Sequence, residues 1–378
     1  MRKNNFLIFL GGLFLLTLGC QTSSTYSAEK DFQSLLNELT ASTINPTQGV
    51  SLSVYAPDVE ISWTGNSGVS DVKKNTALVP SQPFRIASIT KTFVAASIML
   101  LHEKDSLSID DPISQYISKN HLNILLKGGY DPDKILIKHC LNHTSGLFDY
   151  AVGSRTYINI ALENPKKRWT RTEQLKGAMA WGKPVGAPGE KYHYSDTGYI
   201  LLGEILEKMT QKNLGGALRM LLDYDNNELN TTYLQSLDDT VSTHLTEVRR
   251  YLNRRDLTEW DNSIDLYGGG GLVSTTKDMA SFYYKLFNEE FFSKPETIDL
   301  MLTKSGLEKG KNLDYRYGFH VVSIFGKEVY MHGGFWNSYA IYLPEFNASI
   351  GINFTKEGNH KYIIKKLITL LTKHSQNK

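Results

Sequence analysis

Cysteine is nearly missing from this chain: 378 residues hold only two, Cys20 and Cys140. That excludes the disulfide framework that staples small secreted domains, so the chain must fold on its apolar core. An excess of one charge is missing too. The 41 basic and 39 acidic residues are interspersed without a long run, for a formal net charge of +2. This excludes the basic stripe that nucleic-acid binding requires. No internal repeat or low-complexity segment breaks the sequence. What is present is ordinary globular material, 41% hydrophobic and 21% charged, in a chain long enough to bury a large core.

The first residues read as a targeting segment. Arg2 and Lys3 precede the apolar run Phe6 to Leu18, which is short for crossing a bilayer and ends in Leu16-Thr17-Leu18-Gly19-Cys20. This resembles a bacterial lipoprotein signal, with Thr17 where leucine is usual. The resemblance implies a signal peptide over 1–20, lipidation of Cys20, a flexible tether over 21–30, and export across the inner membrane to a membrane-anchored, periplasmic or cell-surface site. The alternative is a plain secretory signal with an incidental cysteine. Cys140 lies in the apolar stretch Ile135 to Leu141, which suits packing rather than thiol chemistry.

The rest reads as one domain over 31–373. Apolar spacing predicts a helix over Asp31–Leu39, and alternation predicts a strand over Gly49–Tyr55 with a hairpin partner over Glu60–Thr64. A helix is expected from Ser88 to about Glu103, another over Thr197–Met209, and a last one over Lys361–Leu371. Late strands are expected over Tyr317–Ile324, Lys327–His332, Ser338–Leu343 and Ala348–Phe354. Strands at both ends with helices between give an α/β fold: an antiparallel sheet built from N- and C-terminal segments, flanked by helices, with a mainly helical lobe over about 105–262. Within that lobe, Tyr224 to Asn262 is polar and irregular and reads as a surface excursion.

The chemistry is concentrated in four short segments. In Ser88-Ile89-Thr90-Lys91 a hydroxyl and an amine stand one helical turn apart at a helix start, where free N–H groups face developing negative charge. Tyr194-Ser195-Asp196 precedes a helix, where a phenol can project into a cleft and act as a base if cations lower its pKa. Gly268 to Gly271 allow close backbone approach, with Ser274 or Thr275 free to cap the next helix. His332-Gly333-Gly334 ends a strand, where glycines let a substrate lie along the edge and an N–H just beyond can serve an oxyanion.

Together these motifs resemble the serine β-lactamase and penicillin-binding-protein superfamily, in its class C-like branch of DD-peptidases, D-aminopeptidases and esterases. Leu141 to Leu147 and Gly270 to Asp278 agree, and the motifs follow the family's order. The resemblance implies a β-lactamase/DD-peptidase-like fold and a serine hydrolase acting on an amide or ester, such as a D-amino-acid peptide or peptidoglycan stem peptide. In it Ser88 is acylated, Lys91 and Tyr194 share the base work, and His332 completes the catalytic set. The backbone N–H groups of Ser88 and Phe335 form the oxyanion hole. Asp196, Gly333 and Gly334 bind substrate, and no metal or organic cofactor is implied. The alternatives are a β-lactamase-like esterase, a true class C β-lactamase, and a non-catalytic peptidoglycan-binding or sensing protein.

Two positions depart from the family. Asp196 stands where asparagine is usual, so it accepts but cannot donate when ionised. It is expected to pair with Lys91, hold it protonated and favour Tyr194 as the base. His332 stands where β-lactamases carry lysine, which makes β-lactam hydrolysis the weaker reading. His139 and His143 have the spacing of two helix-borne zinc ligands, but Cys140 fills the place of the general-base glutamate, and His143 is read as positioning a loop. Phe335, Trp336 and Tyr339 either wall a substrate cleft or cover the sheet.

Overall fold

A computed structural model describes residues 23–43, 47–238, 245–252, 255–307 and 314–376. Cys20 and the signal-like segment lie outside the described residues. The chain opens with α1 (Ser23–Ala41), then β1 (Gly49–Ala56), β2 (Ile61–Asp71), β3 (Thr76–Ala77) and β4 (Phe84–Arg85). α2 (Thr90–Glu103) is followed by α3 (Lys119–Lys127), α4 (Ile137–Leu141), α5 (Thr156–Glu163), α6 (Arg171–Trp181), α7 (Asp196–Thr210) and α8 (Leu214–Leu221). Short strands β5 (Tyr233–Leu234), β6 (Tyr251–Leu252), β7 (Arg255–Asp256) and β8 (Leu272–Ser274) lead to α9 (Thr276–Phe287) and α10 (Pro295–Met301). The chain closes with β9 (Asp314–Tyr315), β10 (His320–Ile324), β11 (Lys327–Gly334), β12 (Ser338–Leu343), β13 (Ala348–Phe354) and α11 (His360–Gln376).

The main sheet runs β3-β2-β1-β13-β12-β11-β10-β9, and β1 pairs antiparallel with β13. This is the α/β fold expected, with one antiparallel sheet joining the two ends of the chain. Period-two alternation explains its layers. Val50, Leu52 and Val54 of β1 enter a core shared with Phe32 and Leu36 of α1 and with Ile363 and Leu367 of α11. Ser53 points the other way, where its Oγ lies 2.8 Å from Thr276 Oγ1 at the start of α9. A Cβ on Gly351 would come 2.1 Å from Thr276 O, so glycine is what lets α9 lie this close to the sheet.

The second core surrounds α2. Every residue of α2 except His102 is buried, because the helix passes between the sheet and the helical segments rather than over a surface. Phe93 stacks on Phe282 of α9 at 3.6 Å between ring centroids. The segment after α8 differs from the surface excursion expected. Tyr224, Leu229, Leu234, Val248 and Trp260 are buried in the same core, and β5 pairs with β8. Their irregular spacing hides them from a periodicity argument. No helix among the described residues is long and apolar enough to cross a membrane.

Candidate active site

Ser88 lies just before α2, in a tight 3-10 turn over Ala87–Ile89, rather than at the first position of the helix. Ala87 adopts φ +45°, a left-handed conformation that is strained for a side-chain-bearing residue. The turn is pressed from the sheet side. A Cβ on Gly334, at the end of β11, would lie 2.2 Å from Ile86 O, and Ser338 Oγ donates to the same carbonyl at 3.2 Å. Close approach of β11 therefore shapes the turn that carries the hydroxyl.

One turn on, Lys91 is fully buried. Its Nζ donates to Ser88 Oγ at 2.8 Å and to the carbonyl of Gly269, and lies 2.6 Å from Asp196 Oδ1. The glycine run thus supplies a carbonyl to the amine. Gly268 and Gly271 have φ of +121° and +101°, which fits glycine to this bend. Thr275 caps α9, accepting from the N–H of Asp278 at 3.1 Å.

Tyr194 stands in the loop before α7 and faces the same cleft as Ser88. Its ring lies 4.1 Å from that of His143, with Lys91 Nζ 5.1 Å from its centroid. Burial, then the charge of Asp196, pushes its phenol well above the usual tyrosine range, against the lowering effect of the Ser88 hydroxyl nearby. This reverses part of the expectation. The Asp196–Lys91 contact forms, but Asp196 disfavours a Tyr194 phenolate instead of promoting one. The N–H of Asp196 donates to Asp149 Oδ1 at 3.0 Å, and Asp149 is itself buried. Burial, followed by the nearby charge of Asp196, pushes the Asp149 carboxyl up to about 7.

His332 is brought beside this group but behind it. It shares a face of β11 with Gly334, and its Nδ1 bonds the carbonyl of Gly333 at 2.8 Å. Its Nε2 lies 3.2 Å from the hydroxyl of Tyr315, whose ring is fully buried. Burial, then the charges of His320 and Lys91, hold its imidazole well below the usual histidine range, so it is neutral. With Nδ1–H given to Gly333, Nε2 accepts from Tyr315. His143 serves the loop, accepting from the N–H of Ser195 at Nδ1 (3.1 Å), while its carbonyl accepts from the N–H of His193 (2.8 Å). His139 Nδ1 instead accepts from the N–H of Leu136, so the two histidines do not converge. No cluster suited to hold a metal ion occurs among the described residues.

Ser88, Tyr194, Asp196, Gly269 and Phe335 line one cavity of about 340 Å³. Its walls are largely apolar, from Ala151, Val152, Ile158, Leu252, Ile264 and Trp336, in the size range of small-molecule sites. Phe335 is 46% exposed at the mouth and Trp336 is buried behind it, whereas Tyr339 stacks on His360 at 4.5 Å elsewhere. Both readings of the aromatic cluster therefore hold, for different members. Sequence reasoning missed Asp265 and Arg155 on the cavity wall, and Asp149, Tyr315 and His320 behind it.

A family model described as Beta-lactamase matches residues 40–370. Penicillin-binding protein 4* of Bacillus subtilis (strain 168) is 26% identical over 296 residues, covering 74% of this chain and 62% of that protein. The chain thus spans about three-fifths of that relative. Teichoic acid D-alanine hydrolase of Staphylococcus aureus (strain MRSA252) is 24% identical over 326 residues, covering 82% of this chain and 71% of the relative. Among solved structures, D-amino acid amidase from Ochrobactrum anthropi SV3, complexed with L-phenylalanine amide, superposes with a TM-score of 0.74. That match has 22% identity and covers 93% of this chain and 99% of the amidase, a likeness of fold. With a family model matched from residue 40 to residue 370, around the site just described, the chain belongs to the Beta-lactamase family.

Proposed function

We propose that the chain is a serine hydrolase that forms an acyl-enzyme at Ser88 on an amide or ester such as a D-amino-acid peptide or peptidoglycan stem peptide. The observation that carries this reading is Ser88 Oγ held 2.8 Å from Lys91 Nζ, with Tyr194 beside them on the wall of the same cavity of about 340 Å³. For acylation the Lys91 ammonium first gives up one proton to solvent; the amine then keeps two N–H bonds, enough for Gly269 O and Asp196 Oδ1, and has a lone pair for the serine proton. As Oγ attacks the carbonyl carbon, that proton passes to Lys91. The C=O pair moves to oxygen, facing the backbone N–H groups of Ser88 and Phe335, where one donor is worth about 10²–10³ in rate. Collapse breaks the bond to the leaving group. Tyr194, neutral at rest, hands it the phenol proton and is reprotonated from Lys91, so the base work is shared. Water then repeats the sequence on the ester. His332 acts through Tyr315 and the Gly333 carbonyl, fixing the edge beside the leaving group.

The same proposal takes 31–373 as one hydrolase domain with its helical lobe over about 105–262, anchored outside the cytoplasm through Cys20. Relatives named for penicillin binding and for teichoic acid D-alanine hydrolysis support an extracytoplasmic site. A fluorophosphonate probe and a fluorescent penicillin test the chemistry. Labelling that disappears in Ser88→Ala is expected. Absence of labelling by either probe in the unaltered protein would overturn the acyl-enzyme and leave a binding or sensing protein.

A further inference from the structure

Beside the cavity, four charged side chains are gathered behind one wall. Arg85, 1% exposed, lies with Nε 3.8 Å from Glu247 Oε2 and Nη1 3.8 Å from Asp265 Oδ1. These are ion-pair separations, too long for hydrogen bonds. Arg250 completes the group, its guanidinium 5.4 Å from the Trp336 ring centroid. Two cations thus face two carboxylates. Of the four, only Asp265 lines the cavity.

Its position there depends on the glycine run. A Cβ on Gly270 would stand 2.7 Å from Asp265 Oδ2, and one on Gly269 would stand 3.2 Å from the Asp196 side chain. The two glycines let both carboxylates close on the stretch whose Gly269 carbonyl accepts a hydrogen bond from Lys91. Their situations differ. Asp196 is engaged with Lys91 at 2.6 Å, whereas Asp265 Oδ1 is buried and makes no hydrogen bond. Burial pushes the Asp265 carboxyl up, and Arg85 and Arg250 oppose that only from a distance. A cation brought into the cavity does what they do, at closer range.

The cavity offers little for the opposite charge. His332 is neutral, buried and turned to Tyr315. Lys91 is committed to Asp196, and Arg155 is an exposed side chain on the wall at the start of α5. A substrate carboxylate therefore finds no deep partner, while an ammonium finds Asp265.

We propose that Asp265 recognises the free ammonium group of the substrate's acyl half, so that the site selects amides or esters of amino acids whose amine is unblocked. This rests on the acyl-enzyme reading above and adds a specificity residue to it. The apolar walls beside Asp265 then take the amino acid's side chain.

The test uses alanine p-nitroanilides, D and L, each with a free amine and with the amine acetylated. The unaltered protein is expected to favour the free amine. In Asp265→Asn the ratio of kcat/KM for free over acetylated substrate is expected to fall about 10- to 100-fold, mainly through KM, as for loss of a charge-assisted hydrogen bond. Asp265→Glu should recover part of the ratio. A ratio unmoved in Asp265→Asn, or a preference for the acetylated substrate at the start, overturns the proposal. Should the variant fail to fold or the anilides resist hydrolysis, protection of unaltered Ser88 against a fluorophosphonate decides. Alaninamide is expected to slow labelling at least tenfold more effectively than N-acetylalaninamide, and equal protection overturns it. Labelling that never occurs at Ser88 sinks the acyl-enzyme reading instead, so the two failures are distinguishable.

Discussion

Asp149→Asn gives the sharpest physical test of how this site is charged. Asp149 is buried and accepts from the N–H groups of Ala151 at 3.2 Å, Val152 at 2.9 Å and Asp196 at 3.0 Å. Three donors favour the carboxylate, yet burial and the neighbouring Asp196 prevail and lift the carboxyl from 3.8 to about 7. A carboxyl raised in the folded state keeps its proton after the unfolded chain has lost it. Stability must therefore fall as pH rises from about 4 through about 7, then level off. Each unit of displacement is worth about 1.4 kcal/mol, so between pH 5 and pH 8 the unaltered protein should lose about 2–3 kcal/mol through this group, less whatever Asp196 shares. Asparagine abolishes the titration. It also turns an amide N–H₂ toward one backbone N–H, at a cost of about 1–3 kcal/mol that is the same at every pH. That fixed cost cancels when the stability difference between variant and unaltered protein at pH 8 is compared with the difference at pH 5. Urea unfolding at pH 5, 6, 7 and 8, at constant ionic strength, should show the variant gaining about 1–3 kcal/mol on the unaltered protein across the series. A difference constant with pH would refute the reasoning, and would mean that the three N–H donors outweigh burial and repulsion.

Asp196→Asn removes the charge that raises Tyr194, so the alkaline limb of the acylation-rate profile should move to lower pH. Superimposable profiles would make the Asp196 contact idle. His332→Lys places an ammonium in a buried position beside His320 and Lys91, and should lower stability by on the order of several kcal/mol without creating β-lactam hydrolysis. Thermal unfolding and a cephalosporin assay check both parts, and an unchanged melting midpoint would contradict the burial argument. Cys20→Ser should abolish incorporation of labelled fatty acid in a bacterial host and release the protein from the membrane fraction, as one signal for anchoring is lost; retention of label would remove Cys20 as the site.

Much of the fold is legible in the sequence where one physical rule acts alone. The strands Ser338–Leu343 and Ala348–Phe354 were expected to the residue, because alternation and short turns leave no competing register. β2 extends to Asp71, well past Thr64, because Gly65 and Gly68 interrupt the apolar pattern while the backbone pairs with β1 as far as Gly68 and then with β3 at Val69 and Asp71. Tyr224 to Asn262 reads as surface because its core residues are separated irregularly and are collected by tertiary contact alone. Ser88 was placed at a helix start, but the helix begins at Thr90, since β11 and Gly334 press Ile86 and bend the intervening residues into a 3-10 turn.

The sequence by itself determined the chemical types present: a hydroxyl and an amine one turn apart, a tyrosine before a helix, glycines after a strand, and an aspartate and a histidine at two positions where the family usually differs. Residue identity and local spacing suffice for that, because they depend on a few neighbouring dihedrals. Only the tertiary structure decided what those groups feel. The sign of Asp196's influence on Tyr194, the neutrality of His332 behind Tyr315, and the presence of Asp265 on the cavity wall all follow from burial and from charges distant in the chain. Loss of hydration and charge–charge interaction are set by the dielectric and the distances of the folded core, and neither is written in the order of residues.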